Sequence, residues 1–430
     1  MRHRLLACLC VFVGCVHSVA QAELRVQVSP DVGSGIYELR QTVTWNVSVT
    51  DNNHPVNGQI RYAVREGGLL EISSGEAELK DGQAQVKSQR SNPGTLLLEL
   101  KFKPTPESKE IVVYGGAAIA PEKIAASSPP PEDFDEFWNS KIVELQAVPM
   151  NIQIKKVDVA DHSIEYFHVT FDNIRGRKIH GQLAKPSGKS NIPALLQVQW
   201  AGVYPLDREW ILGYARSGWL VLNISAHDLP NDQPEAFYKE QASKELNDYP
   251  GMGNEDRETS YFLPMFLSCH RAVEYLTQHS DWNKQTLVVH GGSQGGYQAL
   301  VTAGLHPAVT ALAANVPAGC DHTGKQVGRS PGWPNWAGRA WQGKDEAKML
   351  NASRYFDALN FATRVKCPAL IGLGLADTAC PAEGVLATCN QLRGPKTVIL
   401  MPEADHGGDH SAYSAAFGPF LEAQRLESGR

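Results

Sequence analysis

The sequence predicts an α/β architecture, a mostly parallel sheet with helices on both faces, preceded by a small immunoglobulin-like β-sandwich. Three observations carry the prediction. Apolar residues alternate with polar ones from Glu23 to about Ala118. Beyond residue 121, short strands apolar on both faces alternate with helical stretches. One of those strands enters a helix through the glycine-rich turn Gly291-Gly292-Ser293-Gln294-Gly295-Gly296. At 430 residues, with 42% hydrophobic and 20% charged residues, the chain is long enough for two domains and has a soluble globular composition. The formal charge of −6 is small and mixed along the chain. No basic stripe offers a surface for phosphates, so nucleic acid is not an expected partner.

The N-terminus places Arg2 and Arg4 before an apolar run from Leu5 to Val16, then Ala20-Gln21-Ala22. That order predicts a signal peptide over residues 1–22 and export to the periplasm or the extracellular space. The run is shorter than the ~20 residues of a membrane span, and no other segment is apolar enough to cross a bilayer, so no transmembrane span is expected. Gly14-Cys15 offers lipid attachment as a lesser alternative, which Phe12 disfavours. Of eight cysteines, Cys269, Cys320, Cys367, Cys380 and Cys389 remain after cleavage, an odd number without metal-ligand spacing. Export permits a disulfide between two of the last three. Small buried side chains are the simpler expectation.

Residues 23–118 read as the sandwich. Val43, Trp45, Val47 and Val49 alternate with polar residues, as do Ile60, Tyr62 and Val64, and Leu96, Leu98, Leu100 and Phe102. Asp81-Gly82 supplies a positive-φ hairpin turn. No catalytic cluster of His, Asp or Glu stands out here, which suggests a scaffold. Residues 119–131 end in Ser127-Ser128-Pro129-Pro130-Pro131, a stiff polar linker. Residues 132–430 form the α/β domain. Its first helix aligns Phe134, Phe137, Trp138 and Ile142 on one face, and six apolar strands follow: ALLQVQW, WLVLNIS, TLVVHGG, VTALAANV, ALIGLGL and KTVILMP.

The turn at Ser293 is a G-x-S-x-G sequence between a strand and a helix, the nucleophile elbow of the α/β-hydrolase fold. Glycines are needed because strand and helix pass too close for side chains, and the serine is held on a strained turn at a helix N-terminus. An acid is expected after a later strand, and Asp377 begins the loop that follows ALIGLGL. Asp345 and Asp357 are weaker candidates in helical or polar stretches. A histidine is expected after the next strand, where His406 precedes Gly407-Gly408, with His410 as its competitor. Such a set performs nucleophilic acyl transfer, with the imidazole as base and the carboxylate fixing its tautomer. An oxyanion hole needs two amides. Gln294 supplies the natural first, and Ala201, in the loop Gln199-Trp200-Ala201-Gly202-Val203-Tyr204, the second.

PEDFDEFW, VTFDNIRGRKIHGQLAKP, GGSQGG, GLADTACP and the final histidine loop together resemble the acetyl xylan esterase and cephalosporin C deacetylase family, carbohydrate esterase family seven. The likeness covers nearly the whole second domain. It implies Ser293, Asp377 and His406 as catalytic residues, no metal or organic cofactor, and hydrolysis of short acyl esters on sugars such as acetylated xylan. The family often forms hexamers, so a homo-oligomer is one expectation, which the added sandwich could block or remodel. Three positions depart from the family pattern. Ala226-His227-Asp228 stands where the family has Arg-Gly-Gln, Gln199-Trp200-Ala201 replaces His-Gly-Tyr, and Gly407 follows the final histidine in place of glutamate.

An insertion before the acid strand carries Trp333, Trp336 and Trp341. Sugars stack on aromatic rings, so Trp200, Tyr204, Trp333 and Trp336, together with His227, are candidate substrate contacts; a packed lid is the competing expectation. Fold alone does not decide substrate. A peptidase or dienelactone-hydrolase activity, or a catalytically weak carbohydrate-binding surface protein, are the alternatives to an esterase.

Overall fold

The structure, a computed structural model, describes residues 24–336 and 343–427. The expected signal peptide and Trp341 lie outside the described residues.

Nine strands build the N-terminal part: β1 (Leu24–Pro30), β2 (Ile36–Tyr37), β3 (Thr42–Asp51), β4 (His54–Pro55), β5 (Gly58–Glu66), β6 (Leu70–Leu79), β7 (Gln83–Gln89), β8 (Gly94–Phe102) and β9 (Ile111–Ile119). β1, β3, β4 and β7 form one sheet, and the other runs β2-β9-β8-β5-β6. The period-two alternation has its expected consequence. Val43, Trp45, Val47 and Val49 of β3 face Ile60, Val64, Leu96, Leu98, Leu100 and Phe102 across one apolar core. Asp81 and Gly82 both have positive φ and close a two-residue turn, with Lys80 and Gln83 exchanging backbone hydrogen bonds. This turn joins β6 to β7 and so carries the chain from one sheet to the other.

The second part is a nine-stranded sheet. Its strands are β10 (Gln153–Val157), β11 (Ile164–Asp172), β12 (Lys178–Pro186), β13 (Ile192–Val198), β14 (Leu220–Ile224), β15 (Trp282–Gly292), β16 (Ala311–Asn315), β17 (Ala369–Gly374) and β18 (Lys396–Met401). They lie in the order β10-β11-β12-β14-β13-β15-β16-β17-β18. The first three pairings are antiparallel and those from β14 to β18 parallel. All six apolar runs of the sequence are strands of this parallel region. They are apolar on both faces because helices cover both. Leu196, Leu222, Val289 and Leu312 enter one core, while Leu195, Val221, Val288 and Ala311 enter another on the opposite face.

The helices are α1 (Phe134–Gln146), α2 (Glu209–Arg216), α3 (Glu235–Ser243), α4 (Phe262–Gln278), α5 (Gln294–Leu305), α6 (Glu346–Ser353), α7 (Ala358–Ala362), α8 (Ala382–Gln391) and α9 (Ser411–Glu427). α1 buries Phe134, Phe137 and Trp138, and the Trp138 indole donates to the Tyr355 carbonyl at 2.8 Å. Among the described residues no helix is long and apolar enough to cross a membrane.

Two further features bear on the expectations. Cys269, Cys320, Cys367, Cys380 and Cys389 are all free thiols, four of them buried, so they act as small apolar side chains and not as a staple. The Ser-Pro-rich segment is hydrogen-bonded along its length to the α/β part. The Ser127 N–H and hydroxyl donate to Asp321, and the Ser128 hydroxyl lies 2.8 Å from that of Thr323, which ties the segment down on the α/β part.

Candidate active site

The order of strands sets the site. β13 and β15 lie side by side where the chain reverses direction across the sheet, and in such sheets a crevice opens at the carboxyl ends of the strands. Ser293 sits between β15 and α5 with φ 54° and ψ −121°, a conformation that costs a non-glycine residue strain. Its neighbours permit it. A Cβ on Gly291 would lie 2.5 Å from the Gly295 carbonyl carbon, and one on Gly295 would lie 2.6 Å from the Val198 carbonyl oxygen. Only hydrogen fits at both crossings.

Ser293, Asp377 and His406 come together although 84 and 29 residues separate them in sequence. The Ser293 hydroxyl is 2.9 Å from His406 Nε2, and His406 Nδ1 is 2.7 Å from Asp377 Oδ2. The other carboxylate oxygen of Asp377 accepts the Ala379 and Cys380 N–H groups at 2.8 and 2.7 Å, so the buried carboxylate is aimed from both sides. The hydrogen bond that His406 donates to Asp377 raises the His406 pKa above its ordinary 6.5, against the opposing effect of burial. This geometry suits an imidazole that takes a proton from the hydroxyl while the carboxylate stabilises the resulting cation.

The weaker candidates are engaged elsewhere. His410 Nδ1 accepts from the Asn315 amide and its Nε2 donates to the Asp405 carbonyl, both at 3.0 Å. Asp345 and Asp357 cap the N-termini of α6 and α7.

The candidate oxyanion groups flank Ser293. Gln294 begins α5, so its N–H has no intrahelical acceptor. Ala201 lies across the cleft in the loop after β13. That loop is held from beneath. The Gln199 side chain accepts the Ala226 N–H at 2.9 Å and donates to the Tyr204 carbonyl at 3.1 Å. The Tyr204 hydroxyl donates to the Trp200 carbonyl at 2.9 Å. His227 donates from Nε2 to the Gly202 carbonyl at 3.0 Å and accepts the Tyr261 hydroxyl at Nδ1 at 2.8 Å. The Tyr249 hydroxyl in turn donates to the Gln294 side chain. Burial pushes the His227 pKa down to about 4, so its imidazole is neutral and its tautomer is set by these two partners. His227 is therefore a buried support and not a cleft-lining residue, a correction to the sequence expectation. Two departures from the family pattern, at 199–201 and 226–228, touch each other here.

The cleft over Ser293 measures about 500 Å³. Trp200, Val316, Trp333 and Ala379 are part of its lining. Trp200 is 44% exposed and stacks on Tyr204, with ring centroids 5.4 Å apart. Trp336 does not reach the cleft. It is buried, stacked between Phe262 and Phe356, because the insertion folds its second tryptophan into the core. Asp377, Cys380 and His406 offer ligand atoms within 4.8 Å of one another. The first and last of these are already hydrogen-bonded to each other, and a metal ion there would have to break that bond.

A sequence profile described as acetyl xylan esterase (AXE1) matches residues 122–422. The acetyl esterase Axe7A of Xylanibacter ruminicola is 29% identical over 382 residues, spanning 88% of this chain and 85% of that protein. Among solved structures, an acetyl xylan esterase from a Paenibacillus species matches with a TM-score of 0.61 at 25% identity, over 70% of this chain and 98% of that one. Acetyl xylan esterase 1 from a Thermoanaerobacterium species matches with a TM-score of 0.59 at 21% identity, over 72% and 97%.

Proposed function

The chain belongs to the acetyl xylan esterase family and is a carboxylic ester hydrolase, and on that premise we propose that it is an exported enzyme removing acetyl or other short acyl groups from carbohydrates, acetylated xylan or xylo-oligosaccharides among them. The observation that carries the reading is the relay from the Ser293 hydroxyl through His406 to Asp377, at 2.9 and 2.7 Å, opening on a cleft walled by tryptophan.

Neutral His406 takes the Ser293 proton as the oxygen attacks the ester carbonyl. The negative oxygen of the tetrahedral intermediate is met by the N–H groups of Gln294 and Ala201. The intermediate collapses, the C–O bond to the sugar breaks, and His406 returns the proton to the departing sugar hydroxyl. Water, deprotonated by His406, then releases acetate from Ser293. The exposed face of Trp200 offers a stacking surface for the pyranose, and Trp333 lines the same cleft. Export rests on the charged, apolar and small-residue order of residues 1–22. Division into a sandwich and a hydrolase domain is part of the same reading, supported by the end of β9 at Ile119 and the start of α1 at Phe134.

The test compares wild type with Ser293→Ala on p-nitrophenyl acetate, longer p-nitrophenyl esters, acetylated xylan and a peptide anilide. Acetate release lost in the variant is expected. Anilide cleavage, or acetate release that survives the substitution, would overturn the reading.

A further inference from the structure

The β-sandwich packs against the segment that carries Asp377. The outer face of β8 and β9 makes the contact. Leu97 pairs with Gly116 and Thr95 with Ala118, and Ala118 belongs to the apolar core of the α/β part and not to that of the sandwich. At one end of the acid loop, Gly116 lies so close that a Cβ there would be 2.0 Å from the Leu375 carbonyl oxygen. At the other end stands Glu383, in the first turn of α8 and six residues beyond Asp377. Its carboxylate accepts the Thr95 N–H at 2.7 Å and the Thr95 hydroxyl at 3.2 Å. Arg90 donates to it at 2.9 Å and Arg329 at 3.0 Å. Arg329 continues to Asp321, which receives Ser127. Two guanidinium groups thus face two carboxylates, and the Glu383 side chain is only 3% exposed.

The sandwich also holds the cleft wall. The Ser330 N–H donates to the Gly67 carbonyl at 2.7 Å at the β5–β6 turn, and the Trp333 N–H donates to the Ala379 carbonyl at 2.8 Å. The insertion bearing Trp333 is thereby fastened to the sandwich on one side and to the acid loop on the other.

Desolvating four charges offsets most of their attraction, so such a cluster adds little net stability over apolar packing. What it fixes is geometry, because a guanidinium fork and a carboxylate meet in few orientations. We propose that the β-sandwich is a brace for the acid loop: Arg90 and Thr95, through Glu383, and Gly116, through Leu375, set where Asp377 meets His406. Arg90 and Thr95 are positioning residues. The proposal rests on the reading of Asp377 as the catalytic acid.

The test uses the full chain with Arg90→Met, Arg90→Lys, Thr95→Val and, as a control at an exposed position of β7, Lys87→Met. Each is assayed on p-nitrophenyl acetate across pH, with thermal unfolding followed in parallel. Removing the brace frees Asp377 to drift, which lowers kcat and also moves the acid limb of kcat/KM to lower pH, since His406 loses part of the partner that favours its charged form. Arg90→Met is expected to lose about tenfold in kcat with that shift, Thr95→Val less, and Arg90→Lys to recover part of the loss. Lys87→Met is expected to match wild type. An unchanged kcat and pH profile in both Arg90→Met and Thr95→Val would overturn the brace, as would a loss that only tracks the unfolded fraction with the limb unmoved. Should Arg90→Met fail to fold, Thr95→Val decides by the same readouts. If wild type itself hydrolyses no ester, or Ser293→Ala stays active, the underlying reading fails instead, and the two failures are distinct.

Discussion

At the scale of single residues, the informative positions are those where the chain departs from its family. Gln199 and His227 stand in two different departures, yet both support one loop, the one carrying Ala201. Removing the His227 imidazole leaves the Tyr261 hydroxyl and the Gly202 carbonyl without their buried partner, at a cost of about 1–3 kcal/mol. The loop then loses its anchor beneath the oxyanion position. His227→Ala is expected to reduce kcat on p-nitrophenyl acetate by about tenfold or more with a smaller change in KM, since a shift of an ångström at the reacting centre is costly. An unaltered kcat would show that the loop stands without it. The pH dependence also belongs to this scale. In the proposed mechanism His406 acts as a base only when neutral, and Asp377 raises its pKa, so kcat/KM is expected to rise with pH through a value above 6.5. Asp377→Asn is expected to cut kcat by about 10⁴ and to move that limb to lower pH, measured as a pH–rate profile.

At the scale of elements, β15, the turn at Ser293 and α5 act as one unit. The crossing of α5 over β13 leaves no room at Gly295, where a methyl group would meet the Val198 carbonyl at 2.6 Å. Gly295→Ala is therefore expected to lose about 1–3 kcal/mol of stability and most of the activity, because relief comes only by moving α5 and with it the Ser293 backbone. Thermal unfolding and esterase assay measure the two effects. This unit was legible in the sequence because its requirements are local: a β-rich run, glycines at fixed offsets and a helix-forming stretch. That Asp377 and His406 would meet Ser293 was legible for a related reason, since each follows a strand whose apolar composition marks it. Trp336 shows the limit. Its spacing from Trp333 is short, but one ring lines the cleft and the other stacks on Phe262 and Phe356. A loop has no periodicity from which a facing side could be read.

At the scale of the whole molecule, five histidines are held neutral by burial. The pKa values of His227, His290 and His306 are pushed down to about 4, and those of His270 and His322 to about 3. In the unfolded chain these groups titrate near 6.5. Between that value and about 4 the unfolded state binds protons that the folded state refuses, so stability rises with pH across this window and is lost as pH falls through it. Thermal unfolding is expected to show a midpoint that drops steeply from pH 7 to pH 4. A flat midpoint would contradict the burial of these rings. Replacing His290 or His322 by an apolar residue of similar size is expected to shallow the slope. A second prediction at this scale concerns the proposed export: mass spectrometry of the mature protein is expected to find Glu23 as its first residue, and an intact Met1 would rule out cleavage after Ala22.

The amino-acid order was sufficient for the two periodicities, the six parallel strands, the elbow and the three residues that meet around it. Each depends on neighbours a few positions away or on the end of a recognisable strand. It was not sufficient for the partners that meet across the fold. Arg90 and Glu383 lie 293 positions apart, and nothing near either one announces the other. Gln199 and His227 look like lost family residues until the two loops that bear them, after β13 and β14, are laid side by side. Charge pairing and support contacts of that kind are settled by which surfaces come together when the sandwich docks and the sheet closes, and a one-dimensional pattern of polarity does not encode that distance.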